Sequence, residues 1–191
     1  MRSIVLRLTS VICVFGILLP LVGQGGMSEG EKNMMAFMTP SKAHADMAKN
    51  VGEWKTTYTM WMEPGAEPMK SEGNCVNKMI MGGRYLESVN DATFMGMPMD
   101  GLMLQGFDNH RKVYTAVWID SLGSGFAIAE GVYNDSGELI MNGKMTDPMT
   151  GEVVKYRTVD KHINDQKHIM EMYMVTPKGD FKSMEVVFTR K

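Results

Sequence analysis

The sequence predicts an all-β protein, a single antiparallel up-and-down barrel of about ten strands behind a short N-terminal plug helix. Three observations predict it. Between Trp54 and Arg190, short runs alternating apolar and polar residues follow one another, with turn residues between them. No helical period interrupts the series, and twenty glycines suit a turn-rich chain better than a helical one. So many antiparallel strands would also leave two exposed edges, and closing the sheet removes both.

The 191 residues suffice for one domain with a sizeable core. A net charge of −2 gives no footprint for a nucleic-acid partner. Methionine is the outlier: 22 residues of a flexible, polarizable type that fills irregular apolar space.

Residues 1–25 read as a signal peptide. Arg2 and Arg7 precede an apolar run over 8–22, too short for a comfortable membrane span. Small residues at 23–26 suit cleavage. The mature protein is therefore expected in the periplasm or secreted, with no membrane attachment after cleavage. Cys13 leaves with the leader, so Cys75 stands alone, cannot form an internal disulfide and reads as a buried, inert thiol. Residues 26–41 are polar with scattered methionines and read as a linker. Residues 42–191 read as the barrel domain. Ser41 is placed to cap a helix over 42–50, with Ala43, Met47 and Val51 on one side and Gly52 as its stop.

The first strand puts Trp54, Thr56, Tyr58, Met60 and Met62 on one face and turns at Pro64-Gly65. The next runs cover 73–81 and 84–90. A loop holding Met95-Gly96-Met97-Pro98-Met99 follows, and runs at 101–107, 112–119 and 125–133 come after it. Asn134-Asp135-Ser136-Gly137 is a strong hairpin signal. The last four runs cover 138–146, 153–161, 167–175 and 181–189. In the ninth, His168, Met170, Met172 and Met174 share one face, with Glu171 and Tyr173 on the other. An unpaired carboxylate in an apolar lumen is costly. The methionines are therefore expected inward, and Glu171 is expected to be less buried than Met172.

Gly52-Glu53-Trp54 resembles the Gly-x-Trp signature of the lipocalin and calycin group. The resemblance implies that Trp54 packs across the closed end of the barrel beneath a basic residue of the last strand, here Arg190. A longer series supports it: Met62-Glu63-Pro64-Gly65-Ala66-Glu67-Pro68, Gly82-Gly83-Arg84, Met95-Gly96-Met97-Pro98, Gly106-Phe107-Asp108-Asn109, Trp118-Ile119-Asp120, Met145-Thr146-Asp147-Pro148 and Phe188-Thr189-Arg190-Lys191. In that order they resemble the bacterial family called domain of unknown function 1579. The resemblance implies a lipocalin-like barrel over residues 42–191. It implies no activity and no catalytic residue.

Catalytic patterns are missing: there is no His-Glu-x-x-His, no Gly-x-Ser-x-Gly elbow and no phosphate loop. The expected function is binding of a small, largely apolar molecule, without a resident cofactor. The expected lumen residues are Tyr58, Met60, Met62, Tyr114, Trp118, Asp120, Met170 and Met172. Three alternatives stay open. Met95, Met97 and Met99, with His168, offer soft ligands for Cu(I). His168 on a late strand resembles the haem ligand of nitrobindin-type barrels. A filled structural or interaction domain is the third. A continuous cavity on the order of 300 Å³ or more separates a binding barrel from a filled one. The oligomeric state is not legible in the sequence.

Overall fold

The computed structural model describes residues 26–191. The expected signal peptide and Cys13 lie outside the described residues. Helices α1 (Glu29–Met38) and α2 (Lys42–Ala48) precede ten strands. These are β1 (Gly52–Met60), β2 (Met69–Ile80), β3 (Tyr85–Phe94), β4 (Met97–Asp108) and β5 (Val113–Asp120). They continue as β6 (Ala127–Tyr133), β7 (Leu139–Thr146), β8 (Val153–Asn164), β9 (Lys167–Val175) and β10 (Phe181–Arg190). Every strand pairs antiparallel with its chain neighbours, and β1 also pairs with β10. That pairing closes the barrel and leaves no sheet edge to solvent.

Four sequence expectations need correction. The stretch over 26–41 is not all linker, because α1 occupies most of it. Ser28 and Glu31 form a capping box: Ser28 N–H donates to Glu31 Oε2 at 2.7 Å, and Glu31 N–H donates to Ser28 Oγ at 3.3 Å. The helix buries none of its own side chains. It is held by Asn109, whose Nδ2 donates to the carbonyls of Ala36 and Thr39 at 2.9 and 2.8 Å.

The expected loop around Met97 is the second correction. It is a two-residue turn, with Met95 at φ 51° and Gly96 at φ 79°. Both angles are positive, as a type I′ hairpin requires. Met97, Pro98 and Met99 already belong to β4. Pro98 is tolerated because Phe94 and Met97 flank a two-residue turn, which points the nitrogen of the next residue away from β3. On that side β5 reaches only to Asp120 opposite Gly101, so no ladder bond is lost.

The third correction concerns Met62. It lies past the end of β1 and is 59% exposed, so it does not line the lumen. Trp61 N–H still bonds to Ser183 O at 2.8 Å, but the Glu63-Pro64-Gly65 turn then carries the chain off the sheet.

The fourth concerns burial in β9. Glu171 is buried, at 9%, while Met172 is only half-buried, which reverses the expected order. The pairing explains it. Met170 and Met172 face Val186 and Met184 across β10, and these side chains pack into the interior. Glu171 lies on the opposite, outer face. There Lys161 Nζ reaches it at 2.6 Å, the Tyr173 hydroxyl donates to it at 3.0 Å, and Lys182 Nζ lies at 3.3 Å. Arg157 sits over the Tyr173 ring at 4.4 Å. The carboxylate is covered by its own partners, not by an apolar lumen.

Burial pushes the Glu171 carboxyl up, but the hydrogen bonds from Lys161, Tyr173 and Lys182 outweigh it and hold it below the usual range. A depressed carboxyl stabilises the fold above its unfolded pKa of about 4.3, and that contribution is lost as pH falls through the depressed value. Urea midpoints of wild type and Glu171→Gln should therefore lie furthest apart at neutral pH and converge in acid. A gap that stays constant from pH 7 to pH 3 would remove the network from the stability account.

Candidate functional site

The floor of the barrel is built first. Trp54 is 1% exposed, and its Nε1 donates to Asn50 O at 3.0 Å. Asn77 Nδ2 reaches the same carbonyl at 2.9 Å. Both bonds fasten the chain just after α2 to the barrel. The Arg190 guanidinium lies 4.2 Å from the Trp54 ring centroid, the arrangement that the Gly-x-Trp signature implies. It also donates to the carbonyls of Asp165, Val51 and Lys49 at 2.8, 2.8 and 2.9 Å. Val51 itself is exposed, so only Ala43 and Met47 of the expected helix face enter the core.

Helix α2 closes this end. Met47 is buried among Leu86, Tyr114, Leu139 and Tyr156. His44 is buried beside it, and its Nδ1 accepts from Ser41 N–H at 2.9 Å. Burial lowers the His44 pKa, and nearby Arg84 lowers it further, so the imidazole stays neutral and can accept that bond.

Above the floor the interior splits into two apolar clusters. One gathers Leu86, Tyr114, Ala129, Met141 and Tyr156, with Met172 and Met174 against it. The other gathers Tyr58, Met60 and Val186, with Met170 and Phe188. Of the expected lumen residues, Tyr58, Met60, Tyr114, Met170 and Met172 thus meet the interior. Trp118 and Asp120 are half-buried near the opposite end from Trp54, bonded to each other at 2.8 Å. Asp120 also accepts from Leu122 N–H at 2.9 Å, so it serves the turn after β5 as well.

Sequence reasoning placed Thr56 and His168 on inward faces but missed the other polar side chains of the wall, Asn77, Ser88, Asn90 and Gln105. Thr56, Asn77, Ser88, Asn90, Gln105 and His168 are all buried. Thr56 Oγ1, Ser71 Oγ and both His168 ring nitrogens have no hydrogen-bond partner. Period-two alternation was the available signal. Ser88 and Asn90 share a face with Leu86, just as Thr56 shares one with Trp54. Cys75, on the same wall, donates to Asn77 Oδ1 at 3.1 Å, and burial pushes its thiol up to about 12. It is an inert thiol.

His168 sits low in the barrel at 6% exposure. Its ring stacks on Phe188 at 4.1 Å and meets Trp54 edge-on at 5.0 Å, with Nδ1 3.5 Å from Asp160 Oδ1. A haem plane needs far more room beside a ring nitrogen than a small ligand does, and the Phe188 and Trp54 rings crowd this one. The thioethers of Met95, Met97 and Met99 lie at the β3–β4 turn, at the other end of the barrel. The structure therefore does not bring His168 to them, and Met95 and Met97 are exposed. Among the described residues, no group of three His, Cys, Asp or Glu side chains is arranged to hold a metal.

Two concavities lie outside the lumen. One of about 280 Å³ sits at the rim between Trp61, Pro64, Phe181 and Lys182. The other, of about 610 Å³, crosses β6, β7 and β8 and is lined mostly by residues of their outer face. Among the described residues, no helix is long and apolar enough to cross a membrane.

A closed ten-stranded meander with a tryptophan under an arginine at its helix-plugged floor defines a calycin-like barrel. The chain belongs to DUF1579, a family described as protein of unknown function, whose model matches residues 39–190. No curated protein matches it. Among solved structures it is similar to the S-type phycobiliprotein lyase CPES from Guillardia theta. The TM-score is 0.56 at 7% identity, over 83% of this chain and 96% of that one. At that identity the likeness speaks for the fold.

Proposed function

We propose that this barrel binds a small molecule with an apolar body and a few hydrogen-bonding groups, inside the lumen. The observation that carries the reading is the set of unpartnered polar atoms on the inner wall: Thr56 Oγ1, Ser71 Oγ and His168 Nε2, with His168 Nδ1 facing only Asp160 Oδ1 at 3.5 Å. A buried polar group without a partner costs stability, so its retention points to a partner that completes it. Methionines at 170, 172 and 174 on the same face of β9 as His168 can repack around an occupant. The ligand is expected to be less apolar than composition alone suggests.

The test is native mass spectrometry of protein purified from its own host, comparing wild type with His168→Leu. Wild type should carry a non-covalent adduct that the variant lacks. The variant should melt at the same or a higher temperature once ligand is removed, because an unpartnered buried nitrogen is gone. An adduct retained by His168→Leu refutes the site. A second reading, a filled structural barrel, is favoured by the two apolar clusters that occupy both sides of the interior. It predicts no adduct on either protein.

We also propose that the protein is exported to the periplasm or secreted. The support is the apolar run over 8–22, preceded by Arg2 and Arg7 and followed by the glycines at 23, 25 and 26. Mass measurement of the mature chain checks it, and an uncleaved Met1 start overturns it.

A further inference from the structure

The outer wall carries a cross-strand row that has no part in the lumen. Ile128 of β6 pairs with Lys144 of β7, Lys144 with Lys155 of β8, and Lys155 with Val175 of β9. Their chain neighbours Ala129, Met145, Tyr156 and Met174 pack into the interior cluster, so the row points outward. The two lysines stand directly opposite each other, where like charges repel.

Four cations elsewhere on this wall have acidic partners. Arg111 meets Glu130 at 2.5 Å, Arg157 meets Asp180 at 3.2 Å, Lys161 meets Glu171 at 2.6 Å and Lys182 meets Glu185 at 2.7 Å. Lys144 and Lys155 make no ion pair among the described residues. The cleft of about 610 Å³ opens over them. Its single carboxylate, Glu130, is already held by both arms of Arg111 at 2.8 and 2.5 Å. Its apolar side chains are bare: Phe126 is 63% exposed, Ile128 52% and Val153 69%.

We propose that this cleft binds a single-chain anionic amphiphile. The carboxylate head sits between Lys144 and Lys155, and the alkyl tail lies along Phe126, Ile128 and Val153. An anion between the lysines turns their mutual repulsion into two charge-assisted hydrogen bonds. The tail covers apolar surface that otherwise faces water. The volume lies within the roughly 300–1,000 Å³ typical of small-molecule sites. The site is separate from the lumen and stands whether or not the lumen binds anything.

The experiment titrates the full chain with decanoate below its micelle concentration and follows backbone amide shifts by NMR. Decyltrimethylammonium, with the same tail and the opposite charge, is the comparison. Decanoate should move the amides around 126–130, 142–146 and 153–155 saturably, with affinity at least roughly tenfold above that of the cationic amphiphile. Lys144→Gln with Lys155→Gln should weaken decanoate by roughly tenfold and leave the cationic amphiphile no weaker. The melting temperature of that surface variant, unchanged or raised, reads its folding. Val153→Ser should weaken both amphiphiles. Equal affinity for the two head groups overturns the proposal, as does undiminished decanoate binding by the double glutamine variant. Shifts confined to lumen residues such as Trp54 and His168 also overturn it, and so does the absence of saturable shifts. Sedimentation with phosphatidylglycerol vesicles without saturable decanoate binding overturns it too, and assigns the face to a membrane surface.

Discussion

Trp54→Ala should destabilise the protein by about 3–5 kcal/mol, the range for removing a large buried aromatic. Few substitutions in this chain should cost more. The indole is almost fully enclosed, and three kinds of contact end with it. It loses the Arg190 guanidinium over its face at 4.2 Å, the edge-on contact with His168 at 5.0 Å, and the hydrogen bond to Asn50 O at 3.0 Å. The arginine keeps its bonds to Asp165, Val51 and Lys49, so the floor should loosen without the sheet opening. For a domain of this size the melting temperature should fall by roughly 6–20 °C. Trp54→Phe should recover part of the loss, since it restores an aromatic face but not the donor to Asn50. A loss under about 1 kcal/mol in Trp54→Ala would mean that the floor is not held in this way.

Gly131→Ala is the second large effect, and its cause is backbone rather than side chain. A Cβ at Gly131 would sit 1.8 Å from the carbonyl oxygen of Ile140 and 2.6 Å from the Cα of Met141. Both atoms belong to β7, the pairing partner, so no rotamer change relieves the clash. Glycine is what lets β6 and β7 approach so closely where the sheet coils into a barrel. Overpacking usually costs about 1–3 kcal/mol, and a clash with two backbone atoms belongs at or above the top of that range. Gly123→Ala is the control, because its Cβ would meet only Asp120 Oδ1, at an ordinary 3.6 Å. It should stay within about 0.5 kcal/mol of wild type. Urea midpoints measure both, and equal midpoints would show that the β6–β7 approach is looser than described.

The strand series was legible because each of its signals is local, and closure was expected from the two edges that ten antiparallel strands would otherwise expose. Alternation fixes which face a residue takes, and turn residues fix where a run ends. Hence Trp54, Tyr58 and Met60 fall on one face in the sequence and in the barrel alike. The sequence also carried a signal for α1, in Ser28 and Glu31, which hydrophobic periodicity alone passes over because that helix buries none of its side chains.

By itself the sequence determined an all-β meander, its approximate turns, the inward face of β9 and the pairing of Trp54 with a basic residue of the last strand. The meander, its turns and the inward face of β9 follow from period-two alternation and from turn chemistry within a few residues, whereas the partner of Trp54 was implied by the resemblance to the Gly-x-Trp signature. Only the tertiary structure decided how deeply each side chain is buried and what it meets. Glu171 is buried on an outer face because Lys161, Tyr173 and Lys182 arrive from three strands. Met62 leaves the wall because β1 ends at Met60 and the chain turns off the sheet just beyond it. His168 and Met97, both offered as ligands of one metal, lie at opposite ends because successive strands run antiparallel. Lys144 and Lys155 face each other only through the register of β7 and β8. Register is a relation between segments far apart in the chain, and local patterning does not encode it.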